Sequence, residues 1–553
     1  MALAAPRGPH HPPSRCEELV VARPVNVDVP EQTPDAIATA LEAFLAEYPA
    51  AVVTEDGKVL FDMREAKYAL STDHGRCTIH LWGTDRNLVR RVGATELRNK
   101  VLRIRTSKFG QTKPHFLDVI GDKDRRTPST REATRVRYVK VLERALHRHM
   151  PDWKPEAFRT AMDLEKSFGP AYARGLLSQG IKSWAVIAVN EEEPPVTIDG
   201  ILTFGILWLE ACREASGGRR LIQGLKVIVP RGMGTATLSR MAWLGGNPAQ
   251  WELWELDQRG EELERRDAAD HGNFSTRLIH APNVTSARDR FADSIARIFA
   301  VVPEASRDIV EQRLRSTSEL AFLLHGLEFA RIRIGASNES FNRMEQITFG
   351  AGANETPLNK DNEGDLRHMV ARLCERRSTT GDKRDPLYRM QPERWLEGQI
   401  RRDVSLIDAK LDPAHVYTQV PAFAANDRGM LDLLSISDDG RLAVIELKAS
   451  EDPQLALQGL DYWVRVRWHH MQNPDQATGL GEFQRHGYFG GVRLSDLAPR
   501  LILVAPALRV HPATEIVLRH LSPRVDWTLV AIDERWRDGV KVVWRKRSTD
   551  SQS

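Results

Sequence analysis

The sequence has little of what would place a protein outside a cell or in a membrane. Only four cysteines occur among its 553 residues, and Cys16, Cys77, Cys212 and Cys374 are scattered. That excludes a disulfide framework and suggests a reducing compartment. Cys77 and His80 have a metal-like spacing, but no second pair accompanies them, so a zinc site is not expected. No apolar run reaches the ~20 residues needed to span a bilayer. The opening MALAAPRGPHHPPSRC lacks the apolar core of a signal peptide. Charge of one sign is missing too. The chain carries 78 Lys and Arg against 75 Asp and Glu, a net charge of +3. It is no polycation, and any nucleic-acid surface must come from local asymmetry.

What is present suits packed cores. Hydrophobic residues make up 41% of the chain, and the length fits three or four domains. Residues 1–33 read as a disordered N-terminus. Residues 34–48 read as an amphipathic helix, with Ile37, Leu41, Phe44 and Leu45 at helical spacing. Short apolar runs at 51–53, 59–61, 68–70, 77–82 and 101–104, separated by turn residues, predict a β-rich module over 34–130. Sixteen Lys and Arg face five acids between Arg86 and Lys140, a local balance of +11. Arg90, Arg91, Arg103, Arg105 and Lys108 are its candidate nucleic-acid contacts. The alternative is a solvated cationic face.

A middle α/β domain is expected over 131–335. Residues 135–150 read as helix, 161–177 as partly helical, 184–190 as an apolar strand, 197–214 as a long apolar helix and 225–230 as a strand. Strands are expected at 251–256 and 276–280, then helices at 288–299 and 305–324. Residues 336–390, rich in Asn, Gly, Thr and charge, read as a linker around one short helix.

The C-terminal domain, 391–553, holds the strongest pattern. Strands are expected at 404–407, 416–420, 501–504, 527–532 and 540–544. Between them, a turn at Ser437-Asp438-Asp439-Gly440 separates two short apolar runs, predicting a β-hairpin. With a three-residue loop, Ser437 faces Arg441 and Asp432 faces Glu446. Opposed residues lie ~5 Å apart, and like charges there repel. Lys448 falls on the same face. Leu431, Leu433, Ile445 and Leu447 point to the other, into a core. Repelling hard oxygen ligands suit Mg²⁺, and Lys448 would orient a water or stabilise charge on phosphate. A salt-bridged hairpin surface would explain Glu446 and Lys448 equally. A helix follows, with Asp452 as its cap and Pro453 at its first position. Gln458 and Tyr462, four apart, share one face of it.

Asp432, Glu446-x-Lys448 and Gln458-x-x-x-Tyr462 together resemble the PD-(D/E)XK nuclease superfamily, and the last element is similar to its RecB-type branch. The family's proline before the aspartate is Leu431 here. The resemblance covers about 391 to the end. It implies a restriction-endonuclease-like α/β core with a mixed sheet flanked by helices. It also implies a nuclease that hydrolyses DNA with Mg²⁺ or Mn²⁺, in repair, recombination or defence, in the cytoplasm near the nucleoid. Asp432, Glu446 and the Leu447 carbonyl would bind the metal, with Glu397, or Glu393 in its place, completing the shell. The other function class is a catalytically inactive nuclease-fold scaffold that binds nucleic acid.

The middle domain repeats the order of the C-terminal one: strand, acidic turn ending in proline, helix, strand. Aligning the two Ala-Val-Ile triplets sets Ala188 opposite Glu446 and Asn190 opposite Lys448. This predicts a degenerate nuclease repeat without ligands. The alternative is that strand–helix–strand units recur through architecture alone.

Overall fold

A computed structural model describes residues 32–551, apart from 50, 56–57, 64–65, 73–74, 83–86, 99, 108–113, 122–127, 164–166, 247–248, 268–276, 282, 337–342, 353–355, 419, 421 and 424–430. The N-terminal expectation for 1–31 and the candidate Lys108 therefore lie outside the described residues. The chain is mixed α/β and divides into two units, Met1–Glu132 and Ala133–Ser553.

The first unit is α1 (Pro34–Glu47) and seven strands: β1 (Val52–Glu55), β2 (Lys58–Asp62), β3 (Lys67–Ser71), β4 (Cys77–Trp82), β5 (Asn87–Arg98), β6 (Val101–Ser107) and β7 (His115–Ile120). They form one antiparallel sheet in the order β2-β1-β7-β6-β5-β4-β3. The Thr33 hydroxyl caps α1 by accepting from the Ala36 amide. The helix buries Ile37, Leu41, Phe44 and Leu45 against Ile79, Leu81 and Ile104 of the sheet. Sequence reading missed β5, whose adjacent Arg90 and Arg91 interrupt the apolar alternation, and β7.

In the second unit, after α2 (Pro128–His149), comes a middle sheet of β8 (Lys154–Arg159), β9 (Tyr172–Gln179), β10 (Lys182–Val189), β11 (Leu221–Pro230), β12 (Gln250–Asp257) and β13 (Glu262–Arg266). Helices α3 (Pro195–Asp199) and α4 (Ile201–Ser216) connect β10 to β11, and α5 (Thr235–Met241) connects β11 to β12. Order is sequential. β8–β9–β10 pair antiparallel, β10–β11–β12 parallel, β12–β13 antiparallel. The partly helical expectation for 161–177 fails: β9 starts at Tyr172, and pairing with β10 outweighs the local pattern. β14 (Arg277–Leu278) ends this region.

Next come α6 (Val284–Arg290), α7 (Ala292–Val301) and an antiparallel meander, β15 (Val310–Ser316), β16 (Glu319–Leu324), β17 (Leu327–Ala336), β18 (Arg343–Phe349) and β19 (Thr356–Pro357). α8 (Glu363–Arg376) and α9 (Pro386–Arg389) follow. Two expectations are corrected here. Residues 305–324 are not a helix but a short 3-10 turn and the β15–β16 hairpin. A short apolar run such as Leu320–Leu324 fits either period, and pairing decides. Residues 336–390 are not a linker. Ile347, Phe349, Leu366, Val370 and Leu373 share one core with Phe322 and Phe329. Their apolar residues are dispersed among polar ones, which hid that core. This core starts at α6, so the middle domain is shorter than expected.

The C-terminal sheet contains β20 (Tyr417–Thr418), then, after β21 (Ala422–Phe423), β22 (Leu433–Ile436), β23 (Leu442–Leu447), β24 (Arg500–Pro506), β25 (Trp527–Ile532) and β26 (Val542–Arg547). Helices α10 (Pro392–Arg402), α11 (Leu455–His470), α12 (Glu482–Arg485) and α13 (Pro512–His520) flank it. Its order is β20-β22-β23-β24-β25-β26, with β23–β24–β25 parallel and every other pair antiparallel. Residues 404–407 are not a strand; Val404–Leu406 forms a 3-10 turn. The Asp403 carboxylate favours that turn by accepting from the Ser405 amide. Arg377 is fully buried and ties the meander to this domain. Its guanidinium donates to the carbonyls of Leu324 and His325 in the meander, of Leu387 and Met390 at α9 and of Gln391, and lies over the Trp395 ring of α10 at 4.9 Å.

Candidate active site at the C-terminal hairpin

The hairpin has the register that its turn chemistry predicts. The Gly440 amide donates to Ser437 O at 2.9 Å and the Ser437 amide to Arg441 O at 2.8 Å. Gly440 has φ +80°, a left-handed conformation that suits glycine. Leu433 pairs with Ile445, so one step outward Asp432 lies across from Glu446. The Leu447 amide donates to Asp432 Oδ2 at 2.9 Å and fixes that carboxylate. Leu433, Ile445 and Leu447 face α10 with Trp395 and Ile400. Leu431 does not join them. It precedes the strand and packs on the α11 side.

Glu446 faces α11 and is 3% exposed. Burial first, then the charge of Asp432, pushes its carboxyl well above the ordinary range. Burial likewise pushes Asp432 up to about 6. Lys448 Nζ lies 3.5 Å from Glu446 Oε1 and 3.5 Å from Asp452 Oδ2. Burial alone would lower its pKa, but Glu446, Asp452, Asp432 and Glu393 around it leave it raised, so it stays an ammonium. The sequence places Asp452 as the cap of α11 with Pro453 at its first position, but the helix starts at Leu455 with Gln454 as its N-cap. Asp452 Oδ1 accepts from the Gln454 amide at 2.8 Å, while Oδ2 serves Lys448. The (i, i+4) spacing to Lys448 was the available signal.

Tyr462 stands near enough to Glu446 and Asp432 for their charges, after burial, to raise its hydroxyl. Glu446 Oε2 and Gln458 Oε1 are buried without a hydrogen-bond partner among the described residues. Such orphaned oxygens call for an explanation, and a bound water or ion is one. Asp432 and Glu446 thus fit a hard divalent cation, a buried pair of repelling carboxylates with an acceptor to spare.

The two glutamates of α10 differ. Glu393 accepts from the Ser450 hydroxyl at 2.9 Å. Glu397 is buried and its charge reaches Asp432, but two arginines hold it: Arg313 Nη1 at 3.0 Å and Arg394 Nη1 at 2.6 Å. Arg313 belongs to β15, in the segment between the two sheets, and no local sequence pattern signals that pairing. A cation would have to compete with two guanidinium groups for Glu397. Among the described residues no three His, Cys, Asp or Glu side chains converge as a ready metal cluster.

The site sits at the carboxyl ends of parallel strands β23, β24 and β25, where open α/β sheets bind ligands. A cavity of about 430 Å³ opens beside it, lined by Ala449 and Ser450 after β23, by the basic Lys383, Arg389, Arg509, Arg535 and Arg537 and by the acidic Glu534 and Asp538.

In the first unit, the arginines divide. Arg103 and Arg105 alternate with buried Leu102 and Ile104, and Arg91 pairs across to Ser107 on their face. Phe116 is 46% exposed and shares that face. Arg103 is already bound to Asp118 at 2.8 and 3.1 Å. Arg90, one residue from Arg91, turns to the opposite face. No helix among the described residues is long and apolar enough to cross a membrane. A scan of protein-family models found no match to this chain, and no curated protein matches it either.

Proposed function

We propose that this protein is a divalent-metal-dependent deoxyribonuclease whose single working site is the C-terminal hairpin. The observation that carries the reading is the opposed, buried Asp432 and Glu446, with the Lys448 ammonium on their face beside a basic cleft. Asp432, Glu446 and the Leu447 carbonyl would hold the cation, which would polarise the scissile phosphate. Lys448 orients the attacking water or offsets the negative charge that develops on the phosphate. Gln458 and Tyr462 support this arrangement from α11, and Lys383, Arg389 and Arg509 in the cleft take flanking phosphates. Arg91 and Arg105 on the open face of the first unit add affinity for the phosphate backbone. The test is a panel of linear, branched, mismatched and single-stranded DNA with Mg²⁺, with Mn²⁺ and with chelator. Metal-dependent cleavage of any of these substrates supports the proposal. Metal-independent binding without cleavage would make the protein a scaffold.

The middle sheet is, in this reading, a copy of the C-terminal one that has lost its ligands. Strand order and direction agree at all six positions. Leu225 lies between Ala185 and Trp251, as Leu501 lies between Val444 and Trp527. β11 ends at Pro230 and β24 at Pro506. An added Cβ at Gly205 would meet Leu225 at 2.8 Å and Ile187 at 3.0 Å, and one at Gly459 would meet Leu503 at 2.5 Å, Leu501 at 3.1 Å and Glu446 Cβ at 3.6 Å. This match moves the sequence alignment by one residue. Ile187, not Ala188, stands for Glu446, and Val189, not Asn190, for Lys448. Ala188 packs with Tyr138 on the α2 side while Ile187 packs under α4, and a one-residue shift exchanges the two faces of a strand. Arg174, opposite Ile187, stands for Asp432. Phe204 and Trp208, at the same offsets from Gly205 as Gln458 and Tyr462 from Gly459, stand for that pair.

A further inference from the structure

The two sheets do not merely follow one another; they meet as symmetric halves. α4 packs against α13, and α5 packs against α11. In the matching above, α4 corresponds to α11 and α5 to α13, so these two contacts are the same contact made twice with the partners exchanged. Reciprocal exchange of this kind is what a two-fold axis produces.

Residues near such an axis meet their own counterparts, and two pairs do so here. Gly200 and Gln454 each lie five residues ahead of their glycine, Gly205 and Gly459. The Gln454 Nε2 donates to the Gly200 carbonyl at 3.2 Å. Leu244 and Leu521 lie just ahead of β12 and β25 and form an antiparallel bridge with each other. The Gly245 amide donates to His520 O at 2.8 Å and the Ser522 amide to Trp243 O at 2.7 Å on either side of it.

Each reciprocal contact carries a polar side-chain pair. Arg240 of α5 binds Asp461 of α11 at 2.9 and 2.7 Å, and His520 of α13 lies 3.1 Å from Glu210 of α4. Leu202, Ile206 and Leu209 of α4 lie in one continuous apolar core with Leu457 and Leu460 of α11 and Val517 of α13.

We infer that the chain is a two-fold nuclease dimer built into one polypeptide, with one working and one silent half, and that it therefore breaks one strand of a duplex per binding event. The inference rests on the proposed nuclease reading. The two strands of a DNA duplex are antiparallel and related by two-fold axes, so a symmetric dimer serves each strand with one site. Here the half built on β10 offers Arg174, Ile187 and Val189 where the other offers Asp432, Glu446 and Lys448. None of these three supplies a carboxylate for a cation or a free ammonium for the phosphate. In the one step left, a water oxygen bonds to phosphorus and a P–O bond to one flanking sugar breaks. The water's surplus proton ends on the leaving sugar oxygen. The complementary strand stays whole.

The test uses the full chain in excess over supercoiled plasmid with Mg²⁺, following open-circular and linear products from the first turnover. The expected result is complete conversion to open circles, with linear DNA appearing only later and from the open circles. Lys448→Ala should abolish the open-circular product. Linear DNA formed directly from supercoiled plasmid would overturn the inference while leaving the nuclease reading intact. Undiminished nicking by Lys448→Ala would overturn both the inference and the assignment of cleavage to the C-terminal hairpin. No cleavage of any DNA form would overturn both readings.

Discussion

The middle and C-terminal sheets share strand order, direction and two helix-to-sheet contacts closed over a glycine, yet they differ at the centre. One fills the space under its helix with Ile187 and Val189; the other leaves Glu446, Lys448 and an orphaned Gln458 oxygen there. The middle site is what the same backbone does when only packing is asked of it. Burying two opposed carboxylates with one ammonium beside them is unfavourable next to an apolar filling of the same space, so the charged centre of the second sheet needs a reason beyond stability. That contrast, more than either site alone, supports function in the C-terminal half.

The largest effect should come from removing chemistry from the charged centre. Lys448→Ala or Glu446→Gln should lower cleavage by roughly 10²-fold or more, as loss of a group that stabilises transition-state charge does. Val189→Ala, at the matching place in the middle sheet, should leave the rate near wild type. Single-turnover rates on one plasmid substrate check both. Equal rates for Lys448→Ala and wild type would remove the site from the mechanism.

The paired glycines sharpen the comparison through packing. Gly205→Ala and Gly459→Ala each force a Cβ to within 3 Å of a leucine across the sheet, so each should cost about 1–3 kcal/mol by overpacking. Only Gly459→Ala should also slow cleavage, because α11 carries Gln458 and Tyr462 over Glu446. Denaturant midpoints and rates, measured together, separate the two effects.

Asp432→Asn and Arg174→Met probe matching positions with opposite charge. Burial lifts Asp432 from its ordinary 3.8 to about 6. The folded state thus holds this proton more tightly than the unfolded one. The stabilising contribution is full below 3.8 and is lost as pH rises through 6. Asparagine removes that dependence, so the apo variant should match or exceed wild-type stability at pH 7 while losing the thermal shift that Mg²⁺ adds. Equal Mg²⁺ shifts in variant and wild type would place the metal elsewhere. Arg174 is 1% exposed, and its Nε and Nη1 have no hydrogen-bond partner among the described residues. Burial lowers its pKa to about 10. Its guanidinium sits over Phe168 at 4.2 Å. Methionine there should be near neutral or stabilising, as when buried charges give way to apolar residues, with cleavage unchanged.

How much of this was legible beforehand follows from the range over which each pattern acts. The hairpin turn, the Asp432–Glu446 opposition and the side of Lys448 are local, set by a turn and a two-residue period, and the sequence carried them. The shared order of elements in the two sheets was legible, but aligning the Ala-Val-Ile triplets misses the structural register of the strands by one residue. Identity of letters says nothing about which face a strand turns to a helix, and only the pairing with β11 and β24 resolves it. The grip of Arg313 on Glu397 joins residues 84 apart through a meander whose strands read as helix and linker. No local pattern could announce it. Arg90 and Arg91 read as one basic patch, yet adjacent strand residues face opposite ways.

That last point refines the first unit's role. If its open face holds DNA, Arg91→Ala with Arg105→Ala should weaken binding across sequences and flatten the salt dependence. Each lost phosphate contact should lower the slope by roughly 0.9. Arg90→Ala and Arg103→Ala should do less, because one faces away and the other is held by Asp118. Equal slopes for both pairs of variants would show that the face does not contact phosphate.

The smallest effect should lie at the two reciprocal contacts, where side-chain pairs of different chemistry lie. Arg240–Asp461 keeps its cation at any ordinary pH. The His520 ring, foremost by its hydrogen bond, holds Glu210 down to about 2 from an ordinary 4.5. A carboxylate lowered in the folded state contributes stability that is present above 4.5 and fades as pH falls towards 2. His520 is only 5% exposed but Glu210 keeps 26%, so water around the carboxylate screens the pair and holds the contribution to about 1 kcal/mol. Glu210→Gln should therefore be slightly less stable than wild type at pH 6, and the gap should close as pH falls below 4. Asp461→Asn leaves the Arg240 guanidinium, only 9% exposed, without its carboxylate, and should destabilise more at pH 6. Denaturant titrations of both variants at pH 6 and pH 3 decide this. A Glu210→Gln gap that widens in acid would mean that this contact does not depend on the ionised carboxylate.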